Sequence, residues 1–349
     1  MTMTTSLPWP EWGRHSATII YWPVRREIWP NGIETAEKAY LRVIHAIAER
    51  EPVILIVPET HAERIRRMVS RQVILVEKTL DDSWARDTAP IFATRDGHIV
   101  ANCWKFNAWG EKFSPFAHDA EAATFVAHWL KTQTPDVIEI ATFDWVLEGG
   151  AIHTNGAGVL LVTEECLLHP NRNGIVNKRD VEQRLEACYG AQRVLWLPLG
   201  LEGDVDTDGH IDNVACFLDE HTLLMQRPSR NDPDWPRFEK NLAAIKQWQA
   251  EGVKIDLALI DLPEPVFVQG IKVPRSYVNF AWANHAIVLP AFDCPQDDAA
   301  REFFRQAFPN RDVVSVPAND IVAGGGGIHC ITMPIPHHET LTSALGGFI

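Results

Sequence analysis

Residues 150–163 read GAIHTNGAGVLLVT. Two short apolar runs flank the turn-forming NGAG, the pattern of a β-hairpin. Downstream, apolar side chains recur at three- and four-residue spacing over 178–188, which predicts a helix, and RVLWLP at 193–198 predicts another strand. The unit is strand, strand, helix, strand.

The same order recurs on both sides of this stretch. APIFATRDGHIVANCW (89–104), IDNVACFLDEHTLLMQ (211–226) and YVNFAWANHAIVLPAF (277–292) each read as a pair of strands broken by turn or charged residues. Helical periodicity appears at 35–49, 118–131, 235–251 and 296–307, with a shorter candidate at 60–69. Strand-like runs follow at 52–57, 136–141, 253–260 and 312–317. Five copies of one unit predict a single α/β domain over 1–349, closed into a five-bladed, pseudo-symmetric propeller. A doubly wound sheet also alternates strand with helix, but it lacks the hairpins. No linker interrupts the chain, and the one low-complexity segment is the glycine run 324–327.

The composition narrows the function. The chain of 349 residues, 46% hydrophobic, is long enough to bury a large core. Its formal charge of -14, with no basic cluster, argues against a phosphate-tracking nucleic-acid protein and suits a small cationic partner. The longest apolar runs, such as VILIV at 53–57, fall far short of a membrane span, and the N-terminal MTMTTSLPWPEWG lacks a basic region followed by an apolar core. A soluble, cytoplasmic protein is expected. Its oligomeric state is left open. The six cysteines are scattered without paired spacing, as expected of reduced thiols.

The chemistry gathers in GDVDTDGHIDN (203–213), with four aspartates and one histidine in nine residues. Asp204, Asp206 and Asp208 open a D-x-D-x-D-G calcium loop. Its twelfth position is Ala215, where a bidentate Glu is required, and the flanks read as turn and strand. A non-catalytic calcium-binding propeller is thus the disfavoured alternative. His210, Asp212, His153 and His329 could be drawn as a metal set, but HExxH and CxxC spacings are missing, so neither metal nor cofactor is expected. The glycines at 324–327 precede a strand and are followed by no Lys-Ser or Lys-Thr, so they read as close backbone approach to a ligand rather than as a phosphate loop.

Three residues beyond that run stands Cys330, read as a nucleophile. His210 is the better base for it, because His329 adjoins it in a strand and points to the other face. Cys103, Cys166, Cys188, Cys216 and Cys294 read as small buried hydrophobes, Cys166 and Cys188 with no acid or histidine partner in view. Asp87 in WARD, Glu148 in LEGG and Asp212 supply carboxylates, which bind a guanidinium by paired parallel hydrogen bonds. Trp84 beside Asp87 is placed to stack on a planar cation. In a propeller the strand starts converge, bringing Asp87, Glu148, His210, Asp212 and Cys330 into one pocket.

The ordered set WARDTAP, EGGAIH, TEECLLHPNRN, DTDGHIDN, SYVNF and GGGGIHC resembles the agmatine deiminase family, relatives of bacterial peptidylarginine deiminases in the pentein superfamily. The resemblance implies a five-bladed α/β propeller that hydrolyses agmatine to N-carbamoylputrescine and ammonia without metal or organic cofactor. At matching positions it implies Cys330 as nucleophile, His210 as general acid and base, Glu148 as its acidic partner at the guanidinium, and Asp87 and Asp212 as guanidinium clamps. Peptidylarginine or another guanidino compound is the alternative substrate. Trp109, Asp204 and Asp206 are candidates to meet the amine at the substrate tail, and FNAWGEKFSPF (106–116) is a candidate lid. The chain departs from the family pattern at Ala89, Ala151 and Gly327. At Gly327 an Asn is usual, and its loss is expected to loosen the loop or alter its contacts.

Overall fold

A computed structural model describes residues 6–268 and 270–346. The opening stretch forms its hairpin from Ile152–Thr154 and Val159–Thr163, paired antiparallel. Asn155 fixes the turn by accepting hydrogen bonds from the Ala157 and Val159 amides. Helix Lys178–Tyr189 starts on a capping box of Asn177 and Asp180 and ends at Gly190 in the left-handed conformation. It returns the chain so that Arg193–Leu197 pairs parallel with Val159–Thr163. The hairpin and the helical crossover together make a mixed three-stranded sheet.

Three further stretches repeat that order. Ile91–Arg95 and His98–Lys105 pair antiparallel, and Ile138–Val146 joins parallel after helix Ala122–Gln133. Ala215–Phe217, Thr222–Arg227, helix Trp235–Ala250 and Asp256–Asp261 form the next sheet. Ala281–Ala283, Ala286–Ala291, helix Gln296–Ala307 and Asp312–Pro317 form another. The fifth is split between the chain ends. Thr332–Pro336 pairs antiparallel with His15–Tyr21, helix Ile33–Ala48 follows, and Val53–Val57 and Val73–Glu77 add in parallel. The described residues thus hold five sheets of three or four strands and one two-stranded ribbon, Phe267–Val268 with Ile271–Lys272.

The differences from the sequence reading are local. The helix expected at 118–131 is broken into Ala117–Ala120 and Ala122–Gln133. The one expected at 60–69 ends at Arg66. Strand 53–57 is buried throughout, as a continuous apolar run requires when both faces are covered. Fully burying one of its Ile or Leu side chains is worth roughly 1.5–3 kcal/mol. Among the described residues no helix is long and apolar enough to cross a membrane.

What matters for function is the segment before the first strand of each sheet. Ala85–Thr88 precedes one, Gly149–Ala151 a second and Ile211–Asn213 a third, all as single helical turns. Residues 277–280 and 327–331 occupy the corresponding places in the remaining two. These five short segments carry Asp87, Asp212, Asn279 and Cys330, and Glu148 caps the second of them.

Candidate active site

The turn at Ala85–Thr88 is bound to the backbone of Cys330, because the Arg86 amide donates to the Cys330 carbonyl at 3.0 Å. That places Asp87 and Cys330 on one cavity, shared with Ile28, Asp82, Trp84, Trp109, Phe113, Asp206, Thr207, Asn213 and the backbone of Gly324–Gly326. Asp87 accepts from the Gly150 amide at 3.0 Å and from Trp109 Nε1 at 2.9 Å. Asp212 Oδ2 lies 3.6 Å from Cys330 Sγ, and Asn279 Nδ2 donates to the same sulfur at 3.2 Å. His210 Nδ1 is 3.7 Å from Asp87 Oδ1. His210, Glu148 and Asp212 form the layer behind the cavity wall, each about 1% exposed.

Glycines make this approach possible. A Cβ at Gly150 would lie 2.5 Å from His210 Nδ1 and 3.0 Å from Asp87 Oδ1, so any side chain there would displace one of them. Gly327 behaves similarly, since a Cβ would lie 2.3 Å from Asn279 Oδ1. The loop is therefore closed down on Asn279. Asn279 Oδ1 also accepts from the His329 amide at 2.9 Å.

The acidic stretch divides its work. Asp204 faces inward and accepts from the His210 amide (3.0 Å), Asn213 Nδ2 (3.2 Å) and Thr207 Oγ1 (2.5 Å). It organises the turn, and the cavity lining contains Asp206 instead. Asp208 is taken by Lys112, Asn171 and Arg172. Glu148 is held by Arg172, whose Nε donates to Oε1 at 2.6 Å, while Oε2 is buried with no hydrogen-bond partner among the described residues. Cys166, read from sequence as partnerless, lies with Glu148 and His210 in a buried group whose polar atoms are all within 4.8 Å of one another. The partners come from three separate segments, and no local pattern joins them.

The lid candidate packs over the cavity. Ala108, Trp109, Gly110 and Glu111 all have positive φ, turning the Trp109 ring inward, where it is 5% exposed. Lys112 Nζ ties the segment to the carbonyls of Val205 and Asp206.

Electrostatics separates the groups. Burial pushes the Cys330 thiol well above its usual value; Asp212 and Asp87 add to the rise, and the Gly327 backbone and Asn279 oppose it. Burial disfavours the imidazolium of His210, but Asp87, Cys166 and Glu148 outweigh it and raise its pKa well above the ordinary value. Burial raises Asp87 against the pull of His210, with Asp212 and Glu148 adding to the rise. Asp212 is lowered despite burial, by its hydrogen bond to His329 and the charges of His329, His210 and Arg86.

Carboxylates converging with a buried thiol on a mixed-sheet α/β frame, taken with the relatives that follow, mark a hydrolase acting on a guanidino C–N bond. The pattern of the Porphyromonas-type peptidyl-arginine deiminases matches residues 8–336, and the chain belongs to that family. It is 36% identical to an agmatine deiminase of Ectopseudomonas mendocina, over 93% of this chain and 94% of the relative. The solved agmatine deiminase of Enterococcus faecalis superposes with a TM-score of 0.87 at 27% identity, covering 96% of this chain and 98% of that one. A C. jejuni agmatine deiminase with substrate bound gives a TM-score of 0.84 at 26% identity, covering 93% and 94%.

Proposed function

We propose that this chain hydrolyses agmatine to N-carbamoylputrescine and ammonia, with its five sheets acting as the five blades of a single propeller domain. The observation that carries the reading is the cavity in which Asp87, Asp206 and two tryptophans surround the approach to Cys330. It suits a planar cation with a second cationic end. Asp87 and Asp212 take the guanidinium by paired hydrogen bonds, Trp84 and Trp109 cover the alkyl chain, and Asp206 meets the distal ammonium. Asp204 acts on the tail only by shaping the turn that presents Asp206.

Cys330 Sγ attacks the guanidinium carbon, forming the C–S bond. The tetrahedral adduct collapses as a C–N bond breaks, and His210 supplies the proton with which ammonia leaves. His210 next takes a proton from water attacking the amidino-cysteine. The C–S bond breaks as the adduct's remaining hydroxyl proton passes to the departing sulfur, restoring the thiol whose proton went to solvent when the thiolate formed, and the ureido product departs. Glu148, held by Arg172, stabilises the cationic form of His210. Because the thiol is held protonated in the free enzyme, arrival of the substrate cation supplies the charge that favours thiolate.

Ammonia release is to be measured with agmatine, free arginine and a peptidylarginine substrate, each with and without EDTA. The expected result is turnover of agmatine, insensitive to EDTA and lost in Cys330→Ala. Preference for peptidylarginine, or activity surviving that substitution, would overturn the reading. Free Cys330 should be alkylated by neutral iodoacetamide at a rate still climbing above pH 9, since its thiol is raised. A plateau near neutrality contradicts substrate-dependent activation.

A further inference from the structure

Asp212 is gripped from behind. His329 Nδ1 lies 2.8 Å from Asp212 Oδ2, and His329 Nε2 lies 3.2 Å from Glu11 Oε2. Arg86 donates to both Glu11 oxygens, at 2.5 and 3.2 Å, and its Nε donates to the His329 carbonyl at 3.3 Å. Glu11 and Arg86 then line a second cavity, with Gly149 and His153, that shares no lining residue with the one at Cys330.

Both ring nitrogens of His329 face carboxylate oxygens. A neutral imidazole has one donor and one acceptor nitrogen, so it would set an acceptor against one carboxylate; only the imidazolium donates to both. The charges around it balance: Asp212 and Glu11 against His329 and Arg86, with His153 neighbouring through the strand Ile152–Thr154. Burial and Arg86 work against protonation of His329, yet Glu11 and Asp212 carry its pKa above the ordinary value. On the far side, Asp212 faces His210 and the Cys330 thiol, and its Oδ1 is buried with no hydrogen-bond partner among the described residues.

We propose that His329 is a positioning residue for the reaction: as an imidazolium clamped between Asp212 and Glu11, it holds Asp212 ionised and oriented, leaving Oδ1 free for the guanidinium. The inference rests on the reading of Asp212 as a guanidinium clamp. It gives the N-terminal segment at Glu11 a part in the site, through Arg86 and His329, without contact with substrate.

Two measurements test it. The first is ring nitrogen NMR of histidine in the Cys330→Ala protein, with His329 assigned by its loss in His329→Gln. The ring is expected to be doubly protonated at pH 7.5, and adding Glu11→Gln should lower its pKa by about one unit or more, because an attractive charge goes and Arg86 is unmasked. The second is the pH profile of agmatine turnover in the chain with Cys330 intact. His329→Gln should raise KM about tenfold or more at neutral pH while kcat changes less, as loss of a charge-assisted bond to a binding carboxylate requires. Glu11→Gln should introduce a fall in kcat/KM as pH rises through the lowered His329 pKa. A neutral His329 ring at pH 7.5, or His329→Gln with unchanged KM and pH profile, overturns the proposal. Failure of the parent protein to turn over agmatine would sink the proposed function instead, and the NMR result stands apart from it.

Discussion

The turns at 85–88 and 211–213 each deliver one buried aspartate to the same thiol, yet the two carboxylates are shifted in opposite directions. Asp87 receives neutral donors, the Gly150 amide and the Trp109 indole, and among the described residues its ion-pair partner is His210 at 3.7 Å. Asp212 is bonded to His329 at 2.8 Å and lies in the field of Arg86 and His210. Burial is alike, so the difference comes from the charge of the partners. One site therefore holds a carboxylate secured as an anion beside one whose ionisation depends on what enters the cavity.

Breaking the secured side should cost most. Asp212→Asn removes the anion next to Cys330 and strands the His329 charge, and kcat/KM for agmatine is expected to fall roughly a thousandfold, against on the order of a hundredfold for Asp87→Asn. Equal losses would show that the unequal partners do not matter for turnover. On acidification the wild-type profile should lose activity as Asp87 protonates, before Asp212 does, since Asp87 is raised and Asp212 lowered. Trp109→Phe sharpens the point. It removes a hydrogen bond that favours ionised Asp87, so the acid limb of kcat/KM should move to higher pH, with a loss of about tenfold at neutrality. An unmoved limb would assign the acid limb to another group. The smallest effect is expected for Lys112→Ala, which unties the 106–116 segment from 205–208. KM should rise about threefold with kcat nearly unchanged, consistent with one partly exposed tether.

How much of this could be read beforehand follows from the range of each interaction. The hairpin at 150–163, the capping box at Asn177 and the left-handed stop at Gly190 are local, and periodicity plus turn chemistry locates them. The union of Thr332–Pro336 with His15–Tyr21 joins residues about 300 positions apart and leaves no local trace. The site divides the same way. Asp87, Glu148, His210, Asp212 and Cys330 stand in turns with recognisable composition. Arg172, Cys166, His329 and Glu11 work through partners on other segments, and only folding brings those together. Asn279 was within reach, because YVNF occupies the same pre-strand place as WARD and LEGG. Asp204 and Asp206 show the limit of pattern: two positions apart in one acidic run, one points into the turn and the other lines the cavity.

The seam between His15–Tyr21 and Thr332–Pro336 also sets an order in time. As the polypeptide leaves the ribosome, Asp87, Glu148, His210 and Asp212 are all made before Cys330, which stands two residues ahead of the closing strand. The carboxylates and the histidine are made early, and the sulfur is made only just before the strand that pairs with His15–Tyr21. Synthesis itself thus withholds this thiol until nearly all the chain that surrounds it has been made.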